Sequence, residues 1–266
     1  MKIYRYIIII LAVSGLAFIF QKDNALFTLK QKHNYFTTDN LNNIYLINGE
    51  EIIKYNPAGK MLLKYSNKRY GNITSVDATN ALKILLYYKD FQQMLFLDNQ
   101  LSLNGEAISL EKLGLEQCDL TCTSFNNSFW VYSKQNNELI RYNENSQQIA
   151  KTGNLKQLLQ AELKPNFMIE HNSYLFLNCP EIGIYVFDMY GTFNKIISIK
   201  NLTRFQVSNN VLYYFNNKKF TSYDSKTFDE KSIEVPDSMI QNMRIEKDRL
   251  FLGYKDSLKV LDNQRK

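Results

Sequence analysis

Two marks recur along the chain and constrain its fold more than any other feature. An Asn or Asp, any residue and then a large apolar residue stand at Asn42-Asn43-Ile44, Asn80-Ala81-Leu82, Asn127-Ser128-Phe129, Asn172-Ser173-Tyr174, Asn209-Asn210-Val211 and Asp248-Arg249-Leu250. Each is trailed by an apolar or aromatic residue with Asn or Asp: Tyr55-Asn56, Leu97-Asp98, Tyr142-Asn143, Phe187-Asp188, Tyr223-Asp224 and Leu261-Asp262. Successive first marks are 38, 47, 45, 37 and 39 residues apart. A period of about 40 residues is that of a four-stranded unit. The marks therefore count six units, although the long second and third leave five or seven open.

Asn and Asp tolerate left-handed backbone geometry and bond their own main chain, which suits them to tight turns between antiparallel strands. The first mark then joins strand one to strand two, and the second joins strand three to strand four. The second strands are nearly continuous apolar runs: KILLYY (83–88), FWVY (129–132), YLFL (174–177) and VLYYF (211–215). A strand with one wet face would alternate, so these are covered on both faces. The fourth strands, MLLKY (61–65), FNKIISI (193–199) and KSIEV (231–235), are more polar, as outer edges are.

Blades stacked around an axis provide that double cover. The sixth unit has three strands up to Leu261-Asp262, while Ala25 to Lys30 is strand-like and precedes the first unit. The N-terminal strand is therefore expected to complete the last blade, closing the ring without an open edge. The expected fold is all-β: a six-bladed β-propeller of four-stranded antiparallel blades, with one short helix near 155–163. Asn43-Ile44-Tyr45-Leu46, Ile53-Lys54-Tyr55-Asn56-Pro57 and Gly59-Lys60 resemble the blade pattern of six-bladed propellers of the NHL and TolB-like type, most clearly in the first blade.

That resemblance implies a possible chemistry. Some such propellers are metal-dependent lactonases holding a divalent cation in the channel with a Glu, two Asn and an Asp from inner strands. Here Asp77, Asp119, Glu170 and Glu246 lie near the inner strands, but most adjoin the turn marks, where turn formation accounts for them. No nucleophile stands at a recognisable spacing from a base, and there is no Gly-rich phosphate loop or Cys-x-x-Cys pair. His33 and His171 are the only histidines. The reading leans away from an enzyme, with no cofactor and no metal, and keeps a metal-dependent hydrolase or lactonase as the alternative.

Lys2 and Arg5 precede a charge-free run from Ile7 to Phe20, followed by Gln21-Lys22-Asp23-Asn24. This is the layout of an export signal, and a spanning helix needs about 20 apolar residues. Residues 1–20 are read as a signal peptide or a short membrane anchor, and 21–266 as a single propeller domain outside the cytoplasm, periplasmic or anchored.

Cys118 and Cys122 are four residues apart on one strand, so their α-carbons stand roughly 13 Å apart at about 3.3 Å per residue, too far for a disulfide. Cys118 and Cys179 enter and leave neighbouring blades at the same end. A bond between them and three buried reduced thiols are both left open.

One segment departs from the blade pattern. Asn154 caps and Pro165 ends a short helix with Leu155, Leu158, Leu159 and Leu163 on one side. It either packs over the propeller face or presents Leu155, Leu158 and Leu159 as a docking surface. Loops on the same face carry Lys68, Arg69, Tyr70, Phe91, Lys200, Arg204, Lys218 and Lys219. Such a basic, aromatic rim can grip an envelope protein or acidic glycan, and solvated loops account for it equally well; the net charge of +6 is scattered, not blocked, and no nucleic-acid partner is expected. Membrane contact is expected only through residues 1–20, if they are retained. The function expected is a non-enzymatic binding or scaffold propeller of the cell envelope. Fusing residues 1–30 to a reporter active only outside the cytoplasm should give signal; a silent reporter with detectable protein would reject export.

Overall fold

The computed structural model describes residues 25–235 and 237–263. The export or anchor segment 1–20 lies outside the described residues. Six four-stranded antiparallel sheets follow one another in chain order, each running from an inner to an outer strand. The inner strands are Tyr35–Thr38, Ser75–Asp77, Cys118–Thr123, Phe167–His171, Gln206–Ser208 and Asn242–Glu246, which define blades 1 to 6. The count is six. The long second unit arises chiefly from the extended connection between its third strand, ending at Leu97, and its fourth, beginning at Ile108, and the long third unit from the helix α1 at Leu155–Leu159, inserted after its blade strands. No helix among the described residues is long and apolar enough to cross a membrane.

The apolar runs pack as the double-cover argument requires. In blade 2, Ile84, Leu86 and Tyr88 face a cluster shared with Tyr45, Ile47 and Ile52 of blade 1. The alternate residues Leu85 and Tyr87 face a different cluster, shared with Phe129 and Val131 of blade 3. Trp130 and Tyr132 then turn the other way, against Leu175 and Leu177 of blade 4. The core is thus six wedges, one at each blade joint. Blade 5 departs from this pattern: Val211–Asn216 alternates buried and half-buried residues. Its inner strand has only three residues, and Tyr213 and Tyr214 reach the central channel.

The turn marks act through their side chains. Asn56 Oδ1 accepts from the N–H of Ala58 and Lys60, at 3.0 and 2.9 Å. Asp98, Asn143, Asp188 and Asp224 each accept two backbone N–H groups in the same way. At the first mark, Asn42, Asn127, Asn172 and Asn209 adopt φ of 65°, 58°, 49° and 54°, the left-handed region these residues tolerate.

Ala25–Leu29 pairs antiparallel with Leu258–Asp262, so the N-terminal strand is the fourth strand of blade 6. Its Phe27 ring abuts the first outer turn of blade 1, where a Cβ on Gly59 would come within 2.6 Å of the ring.

The Cys118–Cys179 bond is not made. Cys118 is buried in the wedge of blades 2 and 3 and Cys179 in that of blades 3 and 4, and all three cysteines are free. Burial pushes the Cys118 and Cys179 thiols up to about 12 and Cys122 well above the ordinary range, so none offers a thiolate near neutrality.

The docking-helix expectation is also corrected. Asn154 caps α1 by accepting from Gln157 N–H at 3.0 Å, but the helix ends at Leu159, and Gln160 takes φ 51°. Leu155 is fully buried and Leu159 packs on the same wedge, leaving Leu158 alone 50% exposed. The leucines satisfy a core, because the wedge of blades 3 and 4 is open at that end without them.

The closing strand gives a discriminating test. Leu29 is 8% exposed in the last wedge, whereas Leu26 is 48% exposed on the opposite side of the strand. Leu29→Ala should cost about 2 to 5 kcal/mol by large-to-small core logic, and Leu26→Ala should stay within about 0.5 kcal/mol. Chemical denaturation of both variants checks this; equal effects would mean the strand is not seated as described.

Candidate functional site

The six inner strands surround a channel of about 450 Å³, within the range of small-molecule sites. All four carboxylates singled out from sequence take part in joining blades. Glu246 Oε1 of blade 6 accepts from Thr38 Oγ1 of blade 1 and Gln206 Nε2 of blade 5, both at 2.7 Å, and from Arg244 Nη2 at 3.3 Å. Glu170 of blade 4 accepts three donors from blade 3: Ser124 Oγ at 2.5 Å, Trp130 Nε1 at 2.6 Å and Phe125 N–H at 2.9 Å. Asp77 Oδ2 of blade 2 accepts the N–H and hydroxyl of Thr123 in blade 3, at 2.8 and 2.7 Å. Asp119 pairs with Lys89 at 2.8 Å and Lys134 at 4.0 Å. No group of three or more His, Cys, Asp or Glu placed to hold a metal ion occurs among the described residues.

His171 belongs to the same set of links. Its Nε2 accepts from Asn209 N–H at 3.0 Å, joining blade 4 to blade 5, and burial lowers its pKa from 6.5. Farther out on the same face, cations cap neighbouring carbonyls. Lys54 Nζ donates to Asn99 O at 2.7 Å, Lys83 Nζ to Asn127 O at 3.0 Å, Arg141 Nη1 to Met189 O at 3.3 Å and Lys195 Nζ to Ser225 O at 2.9 Å. Arg249 does the same to Pro57 O across the last joint. These links escaped the sequence reading. They carry a signal nonetheless: apart from the ring-closing contacts, most partners lie 38 to 48 residues apart, close to one repeat period, with Lys195 and Ser225 nearer at 30.

The opposite face holds the eight loop residues expected to bind a partner, and the structure divides them. Lys68, Arg69 and Tyr70 form a 3₁₀ turn between blades 1 and 2, capped by Asn67. The Arg69 guanidinium lies 5.4 Å from the Tyr70 ring centre, and Tyr70 meets Phe91 edge-on at 6.4 Å. Phe91 is 51% exposed. Lys200, Lys218 and Lys219 lie across the ring at blades 4 and 5, where Lys219 pairs with Glu234 at 3.6 Å. Arg204 is not a rim residue. It lines the channel mouth, 4.4 Å from the Tyr35 ring centre and 5.8 Å from that of Phe167. Burial raises the Tyr35 hydroxyl to about 12, with the Arg204 charge working the other way.

With the geometry in place, comparison with known proteins adds the following. No protein-family model matches the sequence, and no curated protein matches it. Solved structures do resemble it. A chain of the mitotic checkpoint complex superposes with a TM-score of 0.62 at 8% identity, over 90% of this chain and 91% of that one. Virginiamycin B lyase from Staphylococcus aureus gives 0.57 at 11% identity, over 85% and 79%. BBS1N, crystallised with ARL6DN, gives 0.56 at 11% identity, over 84% and 75%. The chain shares the propeller fold with these proteins. At such identities the likeness is one of fold alone.

The His171 link generates a pH test. A His whose folded pKa is depressed contributes stability that is full above the unfolded value of 6.5 and is lost as pH falls through it. Melting temperature should therefore drop between pH 7.5 and 5 in the wild type by more than in His171→Gln, whose amide oxygen can accept the same bond without titrating. Identical pH profiles would remove His171 from the set of titrating joints.

Proposed function

We propose that this propeller is a non-enzymatic binding module of the cell envelope, of the NHL or TolB-like type, that engages an acidic protein through the rim of blades 1 and 2. The observation that carries the reading is the contrast between the two faces. On the face of the turn marks, Lys54, Lys83, Arg141, Lys195 and Arg249 are committed to carbonyls of neighbouring blades. On the opposite rim, Lys68 and Arg69 have no carboxylate in ion-pair reach among the described residues, and they flank the exposed Phe91. Gly71, at φ 68°, lets the turn lie against the Phe91 ring, so the patch is organised in advance. A preformed aromatic with unpaired cations around it suits a hot spot for an acidic surface.

The fold itself serves either class: BBS1N and the mitotic checkpoint chain were each crystallised in assemblies with other proteins, whereas virginiamycin B lyase is an enzyme, so the reading rests on the rim. Export rests on the layout of residues 1–20. The lactonase reading has less support: Asp77, Glu170 and Glu246 are each occupied by two or more protein donors, which a metal would have to displace.

The test uses crosslinking in cells followed by purification of the full chain. Lys68→Glu, Arg69→Glu and Phe91→Ser together should abolish the main crosslinked species. Lys60→Glu with Lys226→Glu, on the turn-mark face, should leave it intact. Neither set should lower the melting temperature by more than a few degrees, because exposed charges add little stability. Retention of the species in the rim variant would overturn the proposal.

A further inference from the structure

Two guanidinium groups share the channel, and they are placed differently from every carboxylate there. Arg204 has no carboxylate in ion-pair reach among the described residues, and its charge adds to the burial that lowers the pKa of Arg244. Arg244 uses Nε on Thr38 Oγ1 at 2.8 Å and Nη2 on Glu246 Oε1 at 3.3 Å, while its Nη1 has no acceptor among the described residues. Glu246 and, at longer range, Asp77 offset the Arg244 charge, so what Arg244 offers a ligand is the free Nη1. Thr121, in the wall contributed by blade 3, is 6% exposed and its hydroxyl has no hydrogen-bond partner among the described residues. Buried polar groups are ordinarily satisfied, so the arrangement is incomplete as it stands.

We propose that the channel binds a small organic carboxylate between Arg204 and the free nitrogen of Arg244. The rings of Tyr35 and Phe167 hold the Arg204 fork at the mouth, which lowers the entropy lost when it grips a planar carboxylate. Leu120, Ile169, Val207 and Tyr213, all half-buried, supply an apolar wall for the rest of the ligand. That wall favours an organic anion over inorganic phosphate, which would bring no apolar surface to bury. Arg204 lies outside the rim patch, so this site stands or falls independently of the partner face.

The experiment is isothermal titration of the full chain with succinate, hexanoate and benzoate, with inorganic phosphate as comparator. At least one carboxylate should bind saturably and more tightly than phosphate. Arg204→Met, which keeps the apolar stem on the rings, should weaken that binding about ten- to a hundredfold, the range for a charged hydrogen-bonded contact. Arg69→Met on the rim should leave it unchanged. If Arg204→Met melts below the wild type, Arg204→Lys replaces it in the comparison, since it keeps charge and stem and loses only the fork; it too should weaken binding. No carboxylate binding at millimolar concentration, phosphate binding as tightly, or unchanged affinity in the variant read would each overturn the proposal.

Discussion

Every blade has two apolar faces, and that constraint sets the rest of the structure. Because successive residues of a strand point in opposite directions, a run such as Ile84 to Tyr88 feeds two wedges at once, and no sheet is covered until it has a neighbour on each side. A linear stack would leave two faces wet. Closing the stack into a ring covers all of them and leaves the centre as a polar-lined channel in place of a core. The fold therefore supplies a cavity as a by-product of its packing.

Hydrophobic wedges alone would hold the blades together without fixing their relative angles. The directional part comes from polar links, concentrated on the face of the turn marks: Glu246, Glu170 and Asp77 near the axis, and cations on carbonyls farther out. This division accounts for much of the basic excess without invoking a partner. It also makes the two faces unequal. One is locked by side chains that have work inside the ring, and the other carries side chains such as Lys68 and Arg69 that do not.

The blade count, the strand order and the closing strand were legible in the sequence because they depend on local chemistry: a turn residue with two N–H groups to accept, or an apolar run with no polar alternation. The site was less legible, for two reasons. Asp77, Glu170 and Glu246 resemble channel ligands until their donors are located, and those donors lie in other blades. Arg204 resembles a loop cation because it lies between strands, with the exposed Asn201 and Thr203 before it, yet Tyr35 and Phe167, from blades 1 and 4, fix it at the channel mouth. The helix was visible from its cap, but which leucines it buries depended on a gap in the wedge of blades 3 and 4, and local periodicity carries no record of that gap.

The pairing of Ala25–Leu29 with Leu258–Asp262 has a kinetic consequence. Five of the six blades are built from contiguous chain and can form as hairpins soon after they are synthesised. The sixth cannot, since its outermost strand is made first and its other three last. Contacts so distant in sequence are slow to form, and until they do, the wedge between blades 6 and 1 stays open to water and to other chains. The ring thus has a last step, and a cell producing this protein must keep one exposed strand from finding the wrong partner until the final hairpin arrives.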